Sequence, residues 1–115
     1  MESILTSIKK LLGITEEYEH FDQDLIIHIN SVFSILSQLG VGHSDGFFIH
    51  DKNAVWSDFI GSEKAVELIK SYTYLKVKLL FDPPTSSAVI ESTNRIIGEL
   101  EWRITTIVDE KSGIS

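Results

Sequence analysis

The residues of this chain that could do chemistry are four histidines and two groups of carboxylates. The histidines are His20, His28, His43 and His50. A zinc site on a helix needs two histidines one turn apart. His20 and His28 are eight residues apart, and the other two fall in a segment without helical periodicity. This spacing favours histidines in solvent or in the core over a metal site.

An acidic cluster lies between residues 16 and 24, and its members are Glu16, Glu17, Glu19, Asp22 and Asp24. A calcium loop needs oxygen ligands at ordered spacings around a glycine, and this segment contains no glycine. Negative charge is stabilising at the N-terminus of a helix. We therefore interpret Asp22 and Asp24 as the acidic start of a helix.

Glu99 and Glu101 could be imagined as paired carboxylates for acid–base catalysis. Two residues apart on a helix, however, they point to different sides. Glu99 instead precedes Arg103 by four residues, the favoured orientation for an ion pair on a helix surface. The chain also lacks a nucleotide-binding glycine loop, the spacing of a Ser/His/Asp triad and a paired set of Glu-x-x-His metal ligands. We therefore predict a protein that is not an enzyme and that has no catalytic residues, metal or cofactor.

Composition narrows the class of protein further. The length of 115 residues suits one domain, over residues 1–115. The absence of cysteine excludes disulfides and thiolate metal sites, and it fits a reducing cytosol. The net charge is −7 and the ten basic residues are scattered, so the chain has no basic patch to grip DNA. We also expect no secretory leader, because Lys9 and Lys10 follow the first apolar positions instead of preceding them. We expect no membrane span, because no run of about 18 apolar residues occurs.

Apolar periodicity predicts a mainly α fold, a small domain of four helices. The predicted helices cover residues 2–12, 23–39, 62–81 and 86–108. Gly13 and Gly40 are expected to end the first two, Asp22 to cap the second, and Ser62 to lie near the cap of the third.

A loop-rich insertion, residues 41–61, separates the second and third predicted helices. It lacks a helical period, and a short β-element is expected at residues 47–49. Residues 56–60 fit either a helical turn or an extended piece. After the last helix, residues 109–115 are predicted to form a flexible tail.

The third predicted helix is apolar on two adjacent stripes, and this suggests assembly. One stripe contains Ala65, Leu68, Ile69, Tyr72, Leu75 and Leu79; the other contains Val66, Thr73, Val77 and Leu80. A helix apolar on two sides has more surface to bury than a small domain can cover. Asp82, Pro83 and Pro84 then stop the helix. We interpret them as a stiff corner between helices, the alternative being an exposed corner that contacts a partner.

Three segments together resemble the head–tail connector family of tailed bacteriophages, also called adaptor or head-completion proteins. They are Leu5-x-x-Ile8-Lys9-x-x-Leu12-Gly13-Ile14-Thr15 followed by Asp22-x-x-Leu25, the apolar helix ending at Gly40, and Tyr74-Leu75-Lys76-Val77-Lys78-Leu79-Leu80-Phe81-Asp82-Pro83-Pro84 with Glu99-Leu100-Glu101-Trp102-Arg103. The order and spacing of the segments carry the resemblance, and the third is the most telling.

The resemblance implies a small helical subunit of a ring, commonly dodecameric, located at the head–tail interface of the virion and assembled in the cytoplasm of the bacterial host. Such a ring docks beneath the portal after DNA packaging, extends the DNA channel and offers a platform for the next neck or tail protein. Double-stranded DNA passes through without specific binding. A ring subunit needs two different patches for its two neighbours, and a net-negative lumen disfavours adhesion of phosphate.

The predicted contacts between subunits involve Tyr74, Val77, Lys78, Trp102 and Arg103. Of the two tryptophans, Trp102 lies off the apolar stripe of its helix and is the better interface candidate, whereas core packing is the default for Trp56. Residues 41–61 and the chain after Val108 are assigned to contacts with the portal or neck. The alternative function is a small acidic helical regulator that binds a phage or host protein as a monomer or dimer.

Overall fold

The computed structural model describes residues 2–42, 45–61 and 63–111, with the backbone alone at residues 63, 64, 110 and 111. Its helices, in chain order, are α1 Ile4–Leu12, α2 Asp22–Gln38, α3 Trp56–Phe59, α4 Glu63–Phe81 and α5 Ser87–Lys111. The described residues form no sheet. The predicted mainly α domain is confirmed, with the single-turn helix α3 added to the four long ones.

Helix α1 has a defined signal at each end. The Ser3 side chain accepts a hydrogen bond from the Thr6 amide at 3.2 Å, which satisfies one of the free amides of the first turn. Gly13 ends the helix with a φ of 83°, the left-handed conformation that glycine adopts without a steric cost. The predicted glycine cap is confirmed.

Helix α2 begins at Asp22, which was predicted to be its N-cap. That prediction is wrong, because Phe21 holds the cap position and no side chain caps the helix. The Asp22 carboxylate lies instead 2.8 Å from the buried ammonium of Lys9 on α1. A buried ammonium needs a counter-charge more than the helix needs one capping hydrogen bond.

The insertion is held against the core by a side chain. The Asn30 amide group accepts a hydrogen bond from the Ile49 amide at 2.8 Å and donates one to the Ile49 carbonyl at 2.9 Å. This pairing gives Ile49 the partners that a neighbouring strand would supply, so the β-element predicted at residues 47–49 does not form. Among the described residues, β-pairing is limited to one isolated antiparallel bridge, between Ser3 and Val55.

Residues 56–60, for which two conformations were open, begin with the helical turn α3. Trp56 and Phe59 are buried, and Phe59 stacks on Phe33 of α2 at 4.4 Å and on Phe47 at 5.1 Å between ring centroids. Ile49, Trp56 and Phe59 of the insertion are therefore part of the core.

Helix α4 lies at the centre of the domain and contacts α1, α2 and α5. Residues from both of its apolar stripes are buried inside the chain. In the second stripe, which was expected to need a neighbour, Thr73 and Val77 are fully buried. Leu80 of the same stripe is 53% exposed. The inference that the second stripe needs a neighbour is therefore wrong for Thr73 and Val77, whereas Leu80 stays exposed. Helices pack on several of its sides, so one domain covers most of it. Its predicted cap Ser62 lies outside the described residues.

Helix α5 is the longest helix and the least covered. Its start agrees with the sequence, since the Ser86 hydroxyl accepts from the Val89 amide at 3.4 Å. It continues to Lys111, so the tail predicted from residue 109 begins too early, and residues 112–115 lie outside the described part. The main packing partner of α5 is α4. Only Ile97 and Ile104 are buried among its described side chains.

Candidate assembly surface

The apolar surface that the sequence analysis assigned to α4 lies on α5 instead. Val89 is 48% exposed, Ile96 49% and Trp102 69%. A helix of this length that buries two of its described side chains gains little from tertiary packing. The exposed side of α5 is therefore the best candidate for a surface that a partner covers.

Trp102 lies among charged side chains on this helix. The Arg103 guanidinium donates to the Glu99 carboxylate at 2.7 Å, which confirms the predicted ion pair. Both groups are well exposed, so the pair contributes a few tenths of a kcal/mol. Arg95, two turns before Trp102, is exposed and has no ion pair with another described residue. Tryptophan and arginine are the residue types enriched at the energetic centres of interfaces.

The other predicted subunit contacts have mixed positions. Tyr74 and Lys78 are half-buried on α4 and present some surface. Val77 is fully buried in its own chain, so it offers no area to a neighbour and is removed from the predicted contact set. Trp56 belongs to the core, where its indole N–H donates to the Ser7 hydroxyl at 2.8 Å.

The corner after α4 separates the two longest helices. The Asp82 amide still donates to the Lys78 carbonyl at 2.9 Å, and the Asp82 carboxylate lies 3.6 Å from the Lys78 ammonium. Asp82 and Pro83 are exposed and Pro84 is half-buried. The prolines cannot continue α4, so the chain reverses here and lays α5 back along α4.

An apolar pocket of about 260 Å³ opens where the end of α5 meets the start of α4 and the end of α2. We call it the α5 pocket. Its lining residues are Gly40, Val41, Gly42, Ile60, Ala65, Leu68, Ile69, Ile104, Ile107 and Val108. Gly40 is required here because its φ is 93° and a Cβ would stand 2.8 Å from Val108 Cγ1.

A shallower groove runs between α2 and α4. His28, Ser31, Val32 and Ile35 line it from α2, and Lys76, Leu79 and Leu80 line it from α4. Lys76 is the one lysine or arginine in the lining of either pocket. In the neighbouring insertion, Phe48 is 52% exposed although Ile49 beside it is buried.

The carboxylates and histidines do not meet in one place. Among the described residues, no three His, Cys, Asp or Glu side chains are grouped so that they could hold a metal ion, and His43 lies outside those residues. Glu99 pairs with Arg103, whereas Glu101 accepts the Tyr72 hydroxyl at 2.7 Å. The two carboxylates thus point to different sides of α5, as predicted.

Three polar contacts that organise the domain were missed by sequence reasoning. These are the Lys9–Asp22 ion pair, the Asn30–Ile49 hydrogen bonds and the Tyr72–Glu101 hydrogen bond. The sequence contains a signal for the Lys9–Asp22 ion pair, because Lys9 falls on the apolar side of α1 beside Leu5 and Ile8. The other two join residues 19 and 29 positions apart, and nothing in the local pattern marks them.

None of the described helices is long and apolar enough to cross a membrane. The fold and its uncovered surface define a small helical protein whose longest helix leaves apolar side chains exposed.

The chain belongs to the phage connector protein family, whose family model matches residues 4–111. The predicted family is thereby confirmed, and the protein is a structural component of a phage particle. Membership implies contact with portal or neck proteins of that particle. No curated protein and no solved structure matches the chain.

Proposed function

We propose that this chain is the subunit of a ring, dodecameric in the virion, that docks beneath the portal at the head–tail interface. The ring extends the DNA channel and offers a platform for neck or tail proteins. The subunits assemble in the cytoplasm of the bacterial host. The protein acts by binding and not as an enzyme.

The single observation that carries this proposal is the exposure of α5. This helix of 25 residues packs mainly on α4 and leaves Val89, Ile96 and Trp102 largely exposed. Neighbouring copies in a ring would cover a helix of this kind on the sides that α4 leaves free. Trp102 and Arg103 remain in the proposed contact set, together with the half-buried Tyr74 and Lys78.

The insertion, residues 41–61, is proposed as the contact with the portal or neck. It presents Phe48 at the surface on a backbone that Asn30 fixes. A fixed backbone lowers the entropic cost of binding. This supports a preformed docking loop rather than one that orders on contact. The chain after Val108, assigned to the same role, is helical as far as Lys111.

The net charge of −7 supports the role of a conduit. Repeated around a channel, an acidic subunit repels phosphate and lets the duplex slide. Sedimentation over a range of concentrations, followed by electron microscopy alone and with the cognate portal protein, tests the proposal. We expect rings, either of the protein alone or on the portal. A stable monomer or dimer at every concentration that does not bind the portal would support the acidic regulator instead.

A further inference from the structure

We infer that Trp102 of one copy inserts into the α5 pocket of a second copy, and that this contact is repeated around the assembly. The inference rests on the proposed ring and names the two patches that meet in it. A ring subunit presents two different surfaces to its two neighbours. Trp102, at 69% the most exposed of the large apolar side chains that the structure describes, and the open apolar α5 pocket match this requirement.

The two patches lie on opposite sides of the same helix. Trp102 and the pocket residue Ile104 are two positions apart, which places their side chains roughly 160° apart around α5. Ile107, which also lines the pocket, is roughly 140° from Trp102 by the same geometry. A copy that receives a neighbour's tryptophan in its pocket therefore offers its own tryptophan on the far side, to the next copy.

The pocket is large enough for an indole and has matching polarity. An apolar cavity of about 150 Å³ holds benzene, and the α5 pocket has about 260 Å³. Its lining consists of aliphatic side chains and glycines, with no charged residue. Trp102 has its ring largely in solvent, so its transfer into such a pocket is favourable.

Charge supports a second copy as the occupant. Both arginines of the chain, Arg95 and Arg103, flank Trp102 on α5. Near the pocket in sequence, the exposed carboxylate Asp45 follows Gly42 by three residues, and the exposed carboxylate Asp58 precedes Ile60 by two. Glu99 and Arg103 neutralise each other as an ion pair, and Glu101 accepts the Tyr72 hydrogen bond. The exposed Arg95 therefore leaves positive charge on the tryptophan side, opposite in sign to the exposed carboxylates near the pocket in sequence.

The area involved indicates an anchor within a larger contact. A tryptophan at 69% exposure contributes about 150 Å², whereas a stable interface buries about 800 Å² on each partner. The remaining area must come from other parts of α5 and the pocket rim. We therefore expect a weak pairwise contact that becomes strong when many copies close a ring or assemble on the portal.

Two variants with complementary defects test the pairing. Trp102→Ala removes the anchor but keeps the pocket, and Ala65→Phe fills the pocket but keeps the anchor. Each alone should reduce the association constant about 30-fold or more, in solution or on the cognate portal. The double variant should lose little more than either single one, because both remove the same contact. Mixed together, the two single variants should form pairs that cannot extend into rings.

Controls separate folding from assembly. Thermal unfolding of dilute protein checks that each variant folds, and Leu68→Trp replaces Ala65→Phe as the pocket-filling variant if that one does not. Tyr18→Ala removes an exposed aromatic residue that lies before α2 and outside the proposed contact sets, and it should leave self-association unchanged. Acrylamide quenching adds a direct measurement, since one of the two tryptophans is accessible in the free subunit and should become protected on assembly.

The outcomes distinguish this inference from the proposed function. Rings that form normally with Trp102→Ala, or in which one tryptophan stays accessible to acrylamide, overturn the inference and leave the ring intact. A wild-type chain that assembles neither alone nor on the portal overturns both. Mixed single variants that associate no more strongly at high protein concentration than either variant alone also contradict the inference.

Discussion

Lys9 is a lysine with 2% of its surface exposed, and its position explains the first part of the family pattern. Its ammonium lies 2.8 Å from the Asp22 carboxylate and donates to the Glu16 carbonyl at 2.9 Å. It is the ionic partner of Asp22 Oδ1, a buried oxygen without another hydrogen bond among the described residues. One side chain therefore ties the end of α1, the acidic turn and the start of α2 together.

Replacement of this lysine should be costly. Lys9→Met keeps the aliphatic length but leaves the Asp22 carboxylate and the Glu16 carbonyl without their partner. We expect a loss of about 2–4 kcal/mol in the free energy of unfolding, measured by urea denaturation. The exposed neighbour Lys10→Met serves as the control and should change stability by less than about 0.5 kcal/mol. Equal effects of the two variants would contradict a structural role for the ion pair.

Tyr72 gives the domain a dependence on alkaline pH. Its side chain is buried and its hydroxyl donates to Glu101 at 2.7 Å. Burial, together with the hydrogen bond to this carboxylate and its negative charge, raises the pKa of Tyr72 well above its ordinary value. The folded protein thus keeps a proton that an unfolded tyrosine releases near pH 10.

The sign of the pH effect follows from that difference in pKa. The stability that Tyr72 contributes is present below about pH 10 and is lost as the pH rises further. Tyr72→Phe should therefore flatten the decline of the unfolding free energy between about pH 10 and pH 12. Tyr18→Phe, at an exposed site, should retain the wild-type decline. Chemical denaturation at several pH values measures both slopes, and an unchanged slope in Tyr72→Phe would refute the assignment.

At the scale of the elements, Asn30 decides the conformation of the insertion. Its two hydrogen bonds to Ile49 join α2 to a segment that has no regular structure of its own. The rings of Phe47 and Phe59 stack behind this attachment. The segment is thus fixed by one polar side chain and by aromatic packing.

Asn30→Ala should release the insertion without unfolding α2. Loss of both hydrogen bonds leaves the backbone groups of Ile49 unpaired, at a cost of about 2–4 kcal/mol. Lys52 lies in the released segment, so trypsin should cleave after it at least about tenfold faster than in the wild type. Ser34→Ala, one turn further along α2 at an exposed position, is the matched control. No change in cleavage after Lys52 would show that the aromatic rings alone hold the insertion.

The elements that were predicted well are those with strong local signals. The apolar periods of α1, α2, α4 and α5 and the glycine cap at Gly13 gave the helices and most of their ends. The role of α4 was wrong because periodicity shows which sides of a helix are apolar, but not how many neighbours cover them. The conformation of residues 47–49 was wrong because Asn30, distant in sequence, supplies the pairing. The pocket between α2, α4 and α5 depends on tertiary packing and has no local pattern.

At the scale of the whole molecule, packing stabilises the domain and the net negative charge disfavours contact with nucleic acid. The helices around α4 form the stable body, and α5 lies along one side of it. The net charge of −7 is spread over a surface whose basic residues are scattered. Such a body can meet other proteins through apolar patches while it repels nucleic acid.

We therefore expect no measurable affinity for double-stranded DNA. Proteins that bind duplexes nonspecifically reach dissociation constants of about 10⁻⁴ to 10⁻⁶ M through contacts with phosphates. Fluorescence anisotropy with a labelled duplex at about 50 mM salt should show no binding up to about 100 μM of this protein. The assembled ring should behave in the same way. Micromolar binding by either form would contradict the proposed character of the channel.

The limited packing of α5 also determines how readily this helix opens locally in the free subunit. Because only two of its described side chains are buried, its backbone amides should exchange with deuterium sooner than those of α2 or α4, through local opening that leaves the rest of the domain folded. A neighbour seated on α5 closes that route and slows exchange along the helix. Helix α5 therefore becomes rigid when subunits assemble, and the slowing of its deuterium exchange measures how much of the assembly has formed.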